Sequence, residues 1–104
     1  MFITREVPEM HQYIILGNFT DEGLRKLEKF PNRDRAARNL IERAGGGLQI
    51  YFTMGEYDFV AIINMPDEMS MLRLLYRMGK IGDVRTKILK AWSESEFDDI
   101  INHL

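Results

Sequence analysis

The residues with the clearest chemical potential are Gly55, Tyr57 and Asp58, in the stretch Thr53-Met54-Gly55-Glu56-Tyr57-Asp58-Phe59. An aspartate beside a tyrosine can take a proton from a bound molecule while the phenol orients it. Asp58 is therefore a candidate catalytic base and Tyr57 a candidate ligand contact. The same residues also suit a plain turn. Gly55 supplies a permissive φ, Asp58 bonds nearby backbone, and Tyr57 packs with its hydroxyl bonded. Tyr51 and Thr53 share a strand face with Gln49. That is an ordinary half-polar face, or the polar lining of a pocket that needs a few placed polar groups among apolar ones. Arg85 and Lys87 share one face of a later strand. Such charges usually protect a sheet edge. Facing inward, Arg85 becomes the anchor for a carboxylate.

Other chemistries find little support. The chain has no cysteine, which excludes a disulfide, a thiolate metal site and a Cys nucleophile and suits a reducing cytoplasm. His11 and His103 are far apart and have no ligand-spaced partners, so they read as exposed terminal residues. No HExxH, Walker loop or paired-Cys motif occurs, and no metal or cofactor is expected. Gly45-Gly46-Gly47 follows a helical stretch, the wrong side for a phosphate cradle. Met65, Met69, Met71 and Met78 read as core and interface. Arg33, Arg35, Arg38 and Arg43 are interrupted by Asp34 and Glu42, as on a solvated helix face. A formal charge of −2 gives no reason to seek a polyanion.

The elements that must position these residues follow from periodicity. At 104 residues the chain is one domain, 1–104, with a 45% hydrophobic fraction that can supply a core. No apolar run approaches the roughly 20 residues of a membrane span. MFITREVPEM lacks an apolar signal core, so residues 1–11 read as a short extension, with Met10 as an alternative start to Met1. Tyr13 to Phe19 is a strand apolar on both faces. Thr20-Asp21 then opens a short helix, Glu22 to Lys29, with Leu24 and Leu27 inward. Pro31 breaks or kinks it, and it resumes from Arg33 to Ala44 with Ala36, Ala37, Leu40, Ile41 and Ala44 on one stripe.

Leu48 to Met54 alternates, Asp58 to Met65 is apolar on both sides, and together they read as a β-hairpin around the Gly55 turn. Asp67 caps a second long helix that turns Met71, Leu74, Leu75 and Met78 inward and closes at Gly79 and Gly82. Val84 to Ala91 is the most polar strand and so an edge. Ser93-Glu94-Ser95-Glu96 is a capping box that starts a last helix.

The order β-α-β-β-α-β plus a terminal helix predicts a ferredoxin-like α+β fold with an antiparallel sheet in the order 4-1-3-2. Two helices cover one face of such a sheet. Yet the first and third strands are apolar on both faces, so a second subunit packing sheet against sheet is expected. The terminal helix then covers its own sheet or reaches across to the partner.

At Thr53 to Ala61 the chain resembles the GYD-domain family, with Gly55, Tyr57 and Asp58 carrying the signature and Glu56 inserted. Tyr13 to Asp21 is similar to the family's opening strand and helix start, Met78 to Thr86 to its last loop and strand, and Ala91 to Phe97 to its ending. The resemblance implies a ferredoxin-like fold of the dimeric α+β-barrel type and names no activity, since that group spans isomerases, monooxygenases and regulatory domains. RNA-recognition motifs share the same element order. They need exposed aromatics on the central strands, where this chain has Ile15, and Asp58 stands beside the second signature. Nucleic acid is not an expected partner.

The expectation is a cytoplasmic homodimer, or higher oligomer, with a cavity at the sheet face for a small organic molecule held by Tyr51, Tyr57 and Arg85. The alternatives are a metal-free isomerase, lyase or monooxygenase with Asp58 as base, and a purely structural or regulatory oligomerisation module.

Overall fold

Short runs of strand-forming residues build one antiparallel sheet, and apolar stripes at helical spacing cover one side of it. The structure, a computed structural model, describes residues 10–104. Most of the expected N-terminal extension lies outside the described residues. The strands are β1 (His11–Phe19), β2 (Gly47–Phe52), β3 (Phe59–Met65) and β4 (Val84–Ala91). Their spatial order is β2-β3-β1-β4, with every pairing antiparallel, as the sequence predicts. β1 starts two residues earlier than expected, because His11 pairs with Met65. β2 stops at Phe52, leaving Thr53 and Met54 to the turn.

The helices are α1 (Asp21–Arg25), a 3-10 turn (Leu27–Lys29), α2 (Phe30–Arg43), α3 (Glu68–Ile81) and α4 (Glu94–Asn102). The single helix expected over Glu22 to Lys29 is thus two pieces, and Leu24 and Leu27 face outward, with Leu24 53% exposed. What holds α1 in place is Thr20. Its Oγ1 accepts from the Gly23 amide at 3.1 Å and donates to the Gly82 carbonyl at 2.7 Å. Gly23 carries no side chain because a Cβ there would strike the Asp83 carbonyl.

Pro31 begins α2 instead of interrupting it. A first-turn proline costs no intrahelical bond, so the helix starts at Phe30, three residues before the expected Arg33. The buried stripe is also rotated. Ile41 is buried and Ala37 and Ala44 are half-buried, while Ala36 and Leu40 are exposed. Arg38 is half-buried and its guanidinium donates to the Leu48 carbonyl at 2.8 Å. The helix ends in a Schellman turn: Gly45, at φ +92°, donates to Glu42, and Gly46 donates to Ile41. α3 is capped by Asp67, whose side chain accepts from Ser70 at 2.7 Å. It runs through Gly79 and stops at Gly82, which takes φ +77°.

The core lies between the helices and one sheet face. Tyr13, Ile15, Phe59, Ala61, Ile63 and Met65 point into it from the central strands, and Ile41, Met71 and Leu74 meet them from the helices. At one end the rings of Phe19, Phe30, Phe52 and Phe59 pack edge-on or tilted, at 5.2–6.5 Å between centroids. Gly17 is bare because a Cβ there would collide with the Phe59 ring. The opposite face carries Ile14 and Leu16 from β1 and Val60 and Ile62 from β3, all half-buried. Both central strands are therefore apolar on both sides.

Candidate functional site

The Gly55 turn is tied to the sheet by its own backbone. Gly55 takes φ +135°, a conformation that side chains strain. The Thr53 amide donates to the Asp58 carbonyl at 2.9 Å, and Thr53 Oγ1 donates to the Tyr57 carbonyl at 2.6 Å. The Asp58 amide donates to the Gly17 carbonyl at 2.9 Å and lies 3.2 Å from Asn18 Oδ1. In return, the Phe19 amide donates to Asp58 Oδ2 at 2.9 Å. Asp58 thus fastens the turn to the end of β1 through both backbone and side chain. Lys87 Nζ stands 5.9 Å from the Tyr57 ring centroid, a cation–π contact.

Strand register settles where the other candidates lie. Tyr51 pairs with Val60, Val60 with Leu16, and Leu16 with Lys87, so these four form one row on the face away from the helices. Arg85, two residues from Lys87 on β4, shares that face. Tyr51 and Arg85 therefore share the uncovered face, but on opposite edge strands, about 16 Å apart by three strand spacings across and two residues along. Within one chain the structure brings together Tyr57, Asp58, Asn18 and Lys87, and keeps Tyr51 and Arg85 apart. Asn18 and Lys87 escaped the sequence reading as site residues because their contacts with the turn span tens of residues.

A second arrangement sits on the helix-covered side. A cavity of about 110 Å³ lies between the sheet and helices α2 and α3, walled by Ile15, Ile41, Phe59, Ala61, Leu74 and Met78. Arg33 and Asp83 contribute to the same wall and form an ion pair. Asp83 is only 7% exposed, and its Oδ1 has no hydrogen-bond partner. Arg33 therefore belongs to a part-buried pair, not to the solvated face expected from the arginine run.

His11 also departs from expectation. It is half-buried in β1, and Lys90 Nζ lies 2.8 Å from its Nδ1 and 2.8 Å from Glu68 Oε1. Lys90 holds the Glu68 carboxyl below its ordinary value through that hydrogen bond and through its charge. Among the described residues, no cluster of three His, Asp or Glu side chains could hold a metal ion. Among them, too, no helix is long and apolar enough to cross a membrane.

Known proteins are similar to this chain. The GYD domain model matches residues 13–101, which contain the turn, all but the start of β1, and the other strands. The chain belongs to the GYD-domain family. A Thermus thermophilus protein named glutamine synthetase and cystathionine beta-lyase binding protein is 31% identical over 84 residues. The match covers 79% of this chain and 88% of that relative. The solved crystal structure of MtbAldR (Rv2779c) superposes with a TM-score of 0.62 at 20% identity, over 90% of this chain. The GYD chain spans 62% of that structure, and at this identity the likeness shows the ferredoxin-like fold alone. The family as a whole carries no assigned biochemical activity.

Proposed function

We propose that this GYD-domain protein is a cytoplasmic homodimeric binding module that closes its open sheet face against a second copy and presents the dimer to a partner protein. The observation that carries this reading is the open face itself. Ile14, Leu16, Val60 and Ile62 occupy its centre, and Leu89 on β4 is 52% exposed. An antiparallel sheet that simply met water would carry polar residues there. The name of the Thermus relative supports a partner of the enzyme kind.

Sedimentation equilibrium at micromolar concentration tests the first half, with a dimer expected and a stable monomer overturning it. Binding of purified glutamine synthetase and cystathionine β-lyase, followed by interferometry, tests the second half. Saturable binding to one of them is expected, and no binding to both removes the enzyme-partner reading.

A second reading rests on the polar residues of the open face. Tyr51 and Arg85 are about 16 Å apart in one chain, but two facing sheets put one copy's Tyr51 near the other's β4 in some registers. A small organic carboxylate held by Arg85, Tyr51 and Tyr57 would then sit between the subunits. Native mass spectrometry of gently purified protein checks this: a dimer with a discrete added mass is the expected result, and a bare dimer counts against it. For a metal-free enzyme at the same place, Asp58 is the proposed base. Its bond to the Phe19 amide favours the fastening role instead.

A further inference from the structure

The terminal helix α4 is built as an amphipathic helix, and among the described residues nothing covers its apolar stripe. Phe97, Ile100 and Ile101 share one face at i, i+3, i+4 spacing, yet they are 56%, 49% and 47% exposed. Its start is well made. Ser93 accepts from the Glu96 amide at 3.1 Å, and the Glu96 side chain accepts from the Ser93 amide at 2.9 Å. A cap does not hold a nine-residue helix together in water; such a helix needs its apolar face buried.

Charge identifies what buries it. From Ser93 to Leu104 the chain carries Glu94, Glu96, Asp98 and Asp99 and no lysine or arginine. At 100° per residue, Glu94 and Asp98 flank one side of the apolar stripe. The open sheet face is the opposite. Its β4 row carries Arg85 and Lys87, and its outward positions on β2, β3, β1 and β4 include no carboxylate. Length agrees as well. Nine residues of helix are about 13 Å long, close to the roughly 14 Å across four strands.

We propose that α4 of each copy lies on the open sheet face of the other, a reciprocal clasp that presupposes the homodimer. Phe97, Ile100 and Ile101 pack on the partner's apolar rows, and Glu94 and Asp98 meet the partner's Arg85 and Lys87. A two-fold dimer makes this contact twice, so each copy both gives and receives a helix.

The experiment uses charge exchange in the full chain. R85E/K87E makes both elements acidic, and E94K/D98K reduces the acidity of α4 while leaving the sheet basic. All four positions are exposed, and near-UV circular dichroism confirms that each variant is folded. Each variant alone is expected to dimerise at least about tenfold more weakly than the parent, because like charges now face each other twice. An equimolar mixture is expected to form heterodimers with affinity near the parent's, since both contacts are again complementary. Sedimentation of the full chain carrying F97S/I100S gives a second readout, with a monomer expected. If the parent is a dimer and all of these variants dimerise equally well, the clasp is wrong while the homodimer stands. If the parent is itself a monomer, both fail.

Discussion

The two faces of one sheet show how differently the same strands can be satisfied. On the covered face, Ile15 is 1% exposed and lies against side chains from α2 and α3. On the other face, Ile14 and Leu16 of the same strand stay half-buried, and their neighbour Leu89 is exposed. Residue type does not separate the faces; connectivity does. Both crossovers place their helices on one side, and the one remaining helix leaves its apolar stripe exposed. The covered face is a core that still holds a cavity of about 110 Å³, and the open face is the surface proposed to meet a second copy.

The largest effect should separate the faces most clearly. Ile15→Ala leaves a cavity in the core and is expected to cost about 2–5 kcal/mol of unfolding free energy in urea. Ile62→Ala on the open face should cost the dilute chain half of that or less, and weaken self-association instead. Equal losses in the two variants would mean that the faces are equally closed. Next comes Gly17→Ala, which pushes a methyl group into the Phe59 ring and should cost about 1–3 kcal/mol by thermal or urea unfolding.

The turn lies between these extremes. Asp58→Ala removes the acceptor of the Phe19 amide and should cost about 1–3 kcal/mol. Asp58→Asn keeps an acceptor oxygen and should lose less than half as much. If Asp58→Asn is as unstable as Asp58→Ala, the charge itself holds the turn. Thr20→Ala should cost about 1 kcal/mol, because the cap also links α1 to the turn before β4.

The smallest effect is electrostatic and lies at the surface. Lys90 lowers the Glu68 carboxyl, and local bonds lower Glu22, Asp67 and Glu96 in the same way. A carboxylate whose pKa falls on folding adds stability that is complete above its unfolded value and is lost as pH falls through the folded one. For Glu68 the unfolded value is near 4.5. The urea midpoint should therefore be level above about pH 5 and decline below about 4.5. Glu68→Gln should unfold slightly earlier than the parent at pH 7 and converge with it below about pH 4. A constant gap down to pH 3 would place the effect in packing instead of charge.

Much of this molecule could be read from local rules. Alternation at the edges and short two-faced apolar runs at the centre located all four strands, and crossover rules ordered them. Asp67 and Ser93 were legible as caps because a cap is decided within four residues. The Gly55 turn was legible for the same reason, but Asp58 was expected to bond nearby backbone and instead accepts from Phe19, at the end of β1. Errors arose where local signals met tertiary packing. Leu24 and Leu27 have helical spacing, but Gly23 is the residue that α1 presses against Asp83, so the leucines turn outward. Pro31 looked like an interruption because the 3-10 turn before it cannot be read from composition.

The amino-acid sequence by itself determined the ferredoxin-like element order, the two-faced central strands and the membership of Gly55, Tyr57 and Asp58 in one turn. These follow from side-chain period and turn chemistry, which act over a few residues. Only the tertiary structure decided that Tyr51 and Arg85 share the uncovered face on opposite edges, that Asn18 and Lys87 join the turn, and that Arg33 pairs with Asp83. Those relations join residues tens of positions apart, and register and helix packing fix them through the whole core at once.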